Sequence, residues 1–102
     1  MIQGKSIDQN IQYQKNSVVS KEIVNKTIGT VTLFAFDKGQ GLSEHSAPYN
    51  AYVSILDGEA EITLSGKKHL VKKGQMLPMP ANSPHSLKAK KPFKMMLTMV
   101  KA

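Results

Sequence analysis

The sequence predicts an all-β protein, folded as an antiparallel β-barrel or sandwich of about nine short strands. Segments rich in Val, Ile, Thr, Phe and Tyr recur along the chain and are separated by Gly, Pro, Asn and Asp. Helical periodicity is poor, whereas several segments alternate apolar and polar residues as half-buried strands do. Asp57 and Gly58 form a strong hairpin signal between two such segments.

The strand boundaries follow from where alternation begins and where a turn residue interrupts it. The clearest strand is 59–64, in which every second residue is apolar. The segment 28–36 is apolar on both faces, which indicates burial on two sides. Pro48 limits the strand before it to a short piece, and the two glycines of 37–41 favour a loop. The other predicted strands are 17–24, 44–46, 51–56, 67–71, 75–79, 86–89 and 93–100.

The length of 102 residues fits one domain. The polar, Gln- and Asn-rich start of the chain predicts an N-terminal arm at 1–16, followed by a barrel domain at 17–102. Both faces of the last strand, 93–100, are apolar, although a barrel buries only one face of each strand. This surplus predicts packing against a second copy, so we expect a homodimer.

The composition excludes several kinds of site and partner. The chain has no cysteine, so disulfides, thiolate metal sites and cysteine nucleophiles are excluded. The formal charge is +7 and all 14 basic residues are lysines. Specific readout of nucleic acids relies on the bidentate fork of arginine, so we interpret the charge as a solvated surface and expect no nucleic-acid partner. With no signal-like or membrane-length apolar run, we expect a cytoplasmic protein with no membrane partner.

Two of the three histidines are candidates for a site. His45 and His85 each follow a turn-rich segment and lead into a strand-like run, and two hairpins separate them. An antiparallel barrel brings such positions onto facing strands. His69 follows two lysines in a hairpin strand and is predicted to lie at the surface.

The spacing around these histidines resembles the cupin superfamily. The first family motif begins with Gly, places His-x-His after five residues, and continues to Glu and Gly; this chain has Gly39, His45, Ala47, Ala51 and Gly58 at those positions. The resemblance implies a small single-domain cupin of the conserved-barrel type, with an antiparallel jelly-roll-like β-barrel/sandwich fold.

The second family motif continues the match. Where the family has Gly, Pro-x-Gly, His and Asn, this chain has Gly74, Pro80, Asn82, His85 and Ala89. Asn is a sensible replacement for Gly, because both residues tolerate a left-handed turn.

The resemblance implies a metal held by both histidines of the His-x-His, by the Glu and by the later His. This chain keeps only two of those ligands, His45 and His85, because alanine occupies the other two positions. In one interpretation these histidines bind a divalent transition metal (Fe, Mn, Ni, Zn or Cu), and water or substrate completes the ligand set. In a second, they are hydrogen-bonding or acid–base groups of a metal-free small-ligand pocket. In a third, they only satisfy each other in a closed core.

We therefore predict a protein that binds a small molecule in an interior pocket, with His45 and His85 at the polar end and Tyr49, Asn50 and Met79 among the ligand-binding residues. The alternative is a metal-dependent enzyme, dioxygenase- or isomerase-like, with an incomplete protein ligand set. The residues do not select between a binding module and an enzyme, and they name no catalytic residue or reaction.

Overall fold

The computed structural model describes residues 4–101, which are nearly all β. A short 3₁₀ helix, Ile7–Asn10, precedes the strands. The strands within this range are β1 (Val18–Lys26), β2 (Gly29–Phe36), β3 (Gly41–His45), β4 (Asn50–Asp57), β5 (Glu59–Leu64), β6 (Lys67–Lys72), β7 (Met76–Met79), β8 (His85–Lys88) and β9 (Phe93–Val100). No helix among the described residues is long and apolar enough to cross a membrane.

The strands form two antiparallel sheets. One sheet has the order β1-β2-β9-β4-β7, and the other has the order β3-β8-β5-β6. The apolar core lies between them, as in other β-sandwiches. This arrangement confirms the predicted all-β, jelly-roll-like class, and it places the ends of β3, β4, β7, β8 and β9 around one region of the interior.

Two strands have the predicted bounds, and one differs in an informative way. β5 and β9 occupy 59–64 and 93–100, as alternation and apolar content predicted. β3 begins at Gly41, inside the segment predicted as a loop, because Gly41 pairs with Lys88 of β8. The local sequence does not indicate pairing with a distant strand. The predicted start of this strand was therefore too late in the chain.

The main core contains two stacked aromatic rings. Phe36 and Phe93 lie opposite each other on β2 and β9, are fully buried, and have ring centres 4.5 Å apart. Stacked aromatic pairs add about 0.5–1.5 kcal/mol beyond the burial of their area. The pair therefore ties the two strands firmly at the end of the sheet where β9 begins.

The N-terminal arm crosses the outer face of the five-stranded sheet. Ile11 is buried against Leu33 and Ala35 in a second, smaller apolar cluster. The Tyr13 hydroxyl donates to Asp57 Oδ2 at 2.6 Å, and buried Lys94 donates from Nζ to the Asp8 carbonyl oxygen at 2.8 Å. The arm thus covers part of the sheet's outer face, on the side away from the main core.

Candidate functional site

Strands β3 and β8 bring the two predicted histidines together. His45 ends β3, His85 begins β8, and the two residues are paired across the ladder after a register irregularity that begins at Leu42. The loop before His85 is held by a hydrogen bond from the Asn82 backbone N–H to the Ala47 carbonyl oxygen, 2.7 Å. Asn82 has φ of 67°, so it adopts the left-handed conformation expected at the position where the family motif has Gly.

The two imidazoles are in direct contact. Nε2 of His45 lies 3.0 Å from Nε2 of His85, and the rings meet edge to face with their centres 4.2 Å apart. In each ring Nδ1 contacts the backbone carbonyl oxygen two residues earlier, at Ser43 (2.8 Å) and at Ser83 (3.0 Å). His85 is buried, whereas His45 reaches solvent.

These contacts fix the hydrogen-bonding character of the pair. A carbonyl oxygen only accepts, so a hydrogen on each Nδ1 satisfies both carbonyl contacts, and Nε2 of each neutral ring is then an acceptor. Two acceptors 3.0 Å apart form no hydrogen bond with each other unless a proton, a cation or the donor of a ligand joins them. The pair is therefore suited to receive a hydrogen-bond donor or a cation.

A cavity of about 130 Å³ opens beside the histidine pair. Its walls are otherwise almost wholly apolar, and neither Asp nor Glu contributes to them. The remaining lining residues are Ala47, Tyr49, Ala51, Met79, Pro80, Leu97 and Met99. The structure thus brings together four residues named from the sequence, His45, His85, Tyr49 and Met79.

Asn50, the fifth residue predicted to bind ligand, lies outside this cavity. It lines a neighbouring crevice at the β4–β7 edge, and its Oδ1 accepts a hydrogen bond from the Ala81 backbone N–H at 3.0 Å. Asn50 therefore positions the loop that leads to His85. His69, predicted at the surface, is half-buried opposite Ile62, and it is not part of the cavity lining.

The residues predicted to bind ligand did not include those of the far wall of the cavity. Leu97 and Met99 of β9 line it, and Ala51 of β4 pairs directly with Met99. The alternation along 93–100 did place Leu97 and Met99 on one face of the strand. Which interior region that face meets depends on the pairing of β9 with β4.

The metal-ligating side chains present at the site make up only part of the ligand set that the cupin resemblance implies. Two imidazole nitrogens bound to one ion at about 2.0–2.1 Å lie roughly 3 Å apart in neighbouring positions, which matches the two Nε2 atoms. Within residues 4–101, however, no cluster of three or more His, Cys, Asp or Glu side chains is placed to hold an ion. A complete protein ligand set therefore does not fit this site.

Comparisons with known proteins agree with this architecture. The model of the Cupin domain family matches residues 32–101. A conserved protein of unknown function from Streptococcus pyogenes is 36% identical and has a TM-score of 0.92, over 100% of this chain and 91% of that one. A cupin superfamily protein from Desulfitobacterium hafniense is 26% identical, with a TM-score of 0.93, and covers 100% of this chain and 95% of its own.

A third similar structure is longer than this chain. The Cupin 2 conserved barrel domain protein from Leptotrichia buccalis is 40% identical, with a TM-score of 0.89 over 92% of this chain, but the match spans only 46% of its own length. No curated protein matches this sequence. The family match over most of the chain, the two-sheet fold and the positions of His45 and His85 together show that this protein belongs to the cupin family.

Proposed function

We propose that this cupin domain binds a small molecule in the cavity, with the His45–His85 pair at its polar end. The observation that carries the proposal is the pair of Nε2 atoms, 3.0 Å apart and left without a donor by their Nδ1 contacts, beside an otherwise apolar cavity. Apolar walls with a few convergent polar groups are the usual character of a ligand site.

The size of the cavity limits the ligand. Its volume of about 130 Å³ is close to that of an engineered cavity of about 150 Å³ that binds benzene. The ligand is therefore a small molecule with a compact apolar body. It carries an O–H or N–H donor, because the histidine pair offers acceptors and the other walls offer mainly hydrocarbon contact.

Phenol and fluorobenzene test this proposal, since they are of similar size and only phenol has a donor. Protein with ¹³C-labelled methionine methyl groups is titrated with each probe and followed by NMR. We expect the Met79 and Met99 signals to shift, and that of Met76, which is 57% exposed and outside the cavity, to stay. Phenol should bind roughly fivefold more tightly, because a hydrogen bond contributes about 1 kcal/mol net.

Two variants separate the histidine pair from the cavity walls. His45→Ala and His85→Ala should each remove the preference for phenol and leave fluorobenzene binding in place. If neither probe shifts Met79 and Met99 in the wild-type protein, the cavity is closed to ligands and the proposal is wrong.

A metal-dependent cupin enzyme is the second candidate, favoured by the same 3.0 Å spacing of two Nε2 acceptors. His45 and His85 would hold the ion, with water or substrate in its other positions. Such an ion would act as a Lewis acid toward a ligand oxygen. This candidate is second because a catalytic zinc site usually has three protein ligands.

Elemental analysis distinguishes the two candidates. Protein purified without an affinity tag is reconstituted with Fe, Mn, Ni, Zn and Cu and then dialysed. A metal enzyme should retain one ion per chain, and the His45→Ala and His85→Ala variants should retain none. Retention of no metal by the wild type would exclude this second candidate.

We also propose that the barrel forms a homodimer through the part of the five-stranded sheet that the arm leaves bare. Ile28, Val24 and Val100 are exposed there, and an apolar groove of about 280 Å³ runs between them. Two copies that each carry a charge of +7 repel each other, so a contact between them requires a face of low charge. The groove meets this condition, because Lys26 is the one charged residue in its lining.

Sedimentation at micromolar concentration tests the dimer. The wild type should sediment as a dimer, and Ile28→Lys should convert it to a monomer. Leu70→Lys is the matched control, since Leu70 is an exposed apolar residue on the other sheet. A monomeric wild type, or dissociation by both variants alike, would contradict the proposed face.

A further inference from the structure

The residue after β9 extends the cavity-facing side of that strand. Met99 lines the cavity and pairs with Ala51, and Val100 pairs with Asn50. Lys101 is held in line with the strand because its backbone N–H donates to the Ile28 carbonyl oxygen at 2.8 Å. Since side chains alternate along an extended chain, Lys101 lies on the same face as Met99.

The ammonium group of Lys101 lies over the ring of a residue that lines the cavity. Its Nζ lies 5.4 Å from the centre of the Tyr49 ring, within the range of a cation–π contact, and Tyr49 lines the cavity. The Lys101 side chain is half-buried. The contact therefore keeps a positive charge beside a residue of the cavity lining.

This charge has no neighbouring negative group in the part of the chain that is described. No carboxylate of residues 4–101 lies within ion-pair distance of Lys101, since the ion pairs there join Glu61 to Lys68 and Lys90. The cavity lining itself contains neither Asp nor Glu. Within residues 4–101 the Lys101 ammonium therefore has no anionic partner, and a negatively charged group that arrives with a ligand would supply one.

We propose that Lys101 is a specificity-determining residue, which makes the cavity select small carboxylates over neutral molecules of the same shape. The inference rests on the proposed ligand-binding function. The carboxylate meets the Lys101 ammonium beside Tyr49, where it remains partly solvated, and the apolar body enters between Tyr49 and Met99. A donor at the far end of the ligand then meets the His45–His85 pair.

The test compares 4-hydroxybenzoate with 4-hydroxybenzamide, which have the same shape and differ by one negative charge. Their affinities are measured by titration of the Met79 and Met99 methyl signals at low ionic strength. We expect 4-hydroxybenzoate to bind at least tenfold more tightly, and added salt to reduce this difference, because exposed charges are screened.

Three variants assign the effect to Lys101. Lys101→Met keeps the chain length and removes the charge, so it should abolish the preference for the carboxylate and leave binding of the amide unchanged. Lys101→Arg should keep the preference. Lys91→Met, in the turn before β9, makes the same change in net charge and should have no effect.

The outcomes separate this inference from the function on which it rests. Equal binding of both probes by the wild type, or a preference that survives in Lys101→Met, would overturn the role of Lys101 and leave the cavity as a ligand site. Failure of both probes and of phenol to shift Met79 and Met99 would overturn the ligand site and the role of Lys101 together.

Discussion

His45 and His85 lie with their Nε2 atoms 3.0 Å apart, while each Nδ1 contacts the carbonyl oxygen two residues earlier in the chain. The same local arrangement therefore occurs at the end of β3 and at the start of β8. It aims two equivalent ring nitrogens at each other from neighbouring strands.

This arrangement predicts the tautomer of both rings. At alkaline pH, where an ordinary imidazole is neutral, both histidines should carry their hydrogen on Nδ1, because that atom donates to Ser43 or Ser83. Long-range ¹H–¹⁵N NMR spectra report the tautomer, and His45→Gln and His85→Gln assign the signals. Hydrogen on Nε2 of either ring would contradict this prediction.

Restoring one missing ligand should create a stronger metal site. Ala47 lines the cavity two residues beyond His45, so Ala47→His should add a third imidazole beside the pair. We expect the affinity for Zn²⁺ or Ni²⁺, measured by calorimetry, to rise at least tenfold, or about 1.4 kcal/mol. Ser46→His is the control, because Ser46 is exposed and outside the lining; an equal gain in both variants would contradict this placement.

The hairpin between β4 and β5 should depend on glycine for two reasons. Gly58 has φ of +69°, and a Cβ atom there would meet the Pro92 carbonyl oxygen. Gly66, in the hairpin between β5 and β6, is the comparison, because it has φ of +81° but open space around it. Gly66→Ala should cost about 1–2 kcal/mol through backbone strain alone. Gly58→Ala should lower the free energy of unfolding by more, because the connection before β9 must also move. Urea unfolding measures both losses of stability. Equal losses in the two variants would show that the contact with Pro92 is unimportant.

The contact between the arm and the sheet should be sensitive to alkaline pH. Burial, reinforced by the hydrogen bond to Asp57, raises the pKa of Tyr13 well above the ordinary tyrosine range. A raised pKa means that the fold favours the neutral phenol, so its contribution to stability is complete below the unfolded-state value of about 10 and is lost as the pH rises further. Tyr13→Phe should lower the free energy of unfolding by about 1–2 kcal/mol near neutral pH.

Urea unfolding at pH 8 and above pH 10 measures this difference. The difference in free energy of unfolding between the wild type and Tyr13→Phe should be smaller at the higher pH, because the wild type alone loses the contribution of Tyr13. Tyr52→Phe serves as the control for a general effect of removing a tyrosine hydroxyl. A gap that widens with pH would contradict the assignment.

The sequence alone was sufficient to predict the pattern of strands and to identify His45 and His85 as the two histidines of the site. Alternation in 59–64, apolar content in 93–100 and the Asp57-Gly58 turn are local properties, and strands and hairpins form where such properties occur. Spacing from Gly39 and Gly74 placed His45 and His85 in the cupin motifs, and the alanines at 47 and 51 showed that two ligands of those motifs are missing.

The tertiary structure decided what surrounds the pair. The contact of the two Nε2 atoms, the start of β3 at Gly41, and the cavity wall made by Leu97 and Met99 all arise from pairing between strands far apart in the chain. Likewise, Asn50 holds a loop and lies outside the cavity, and Lys101 lies on the Tyr49 ring. Local sequence fixes which face of a strand a residue occupies, whereas the register between strands fixes what that face meets.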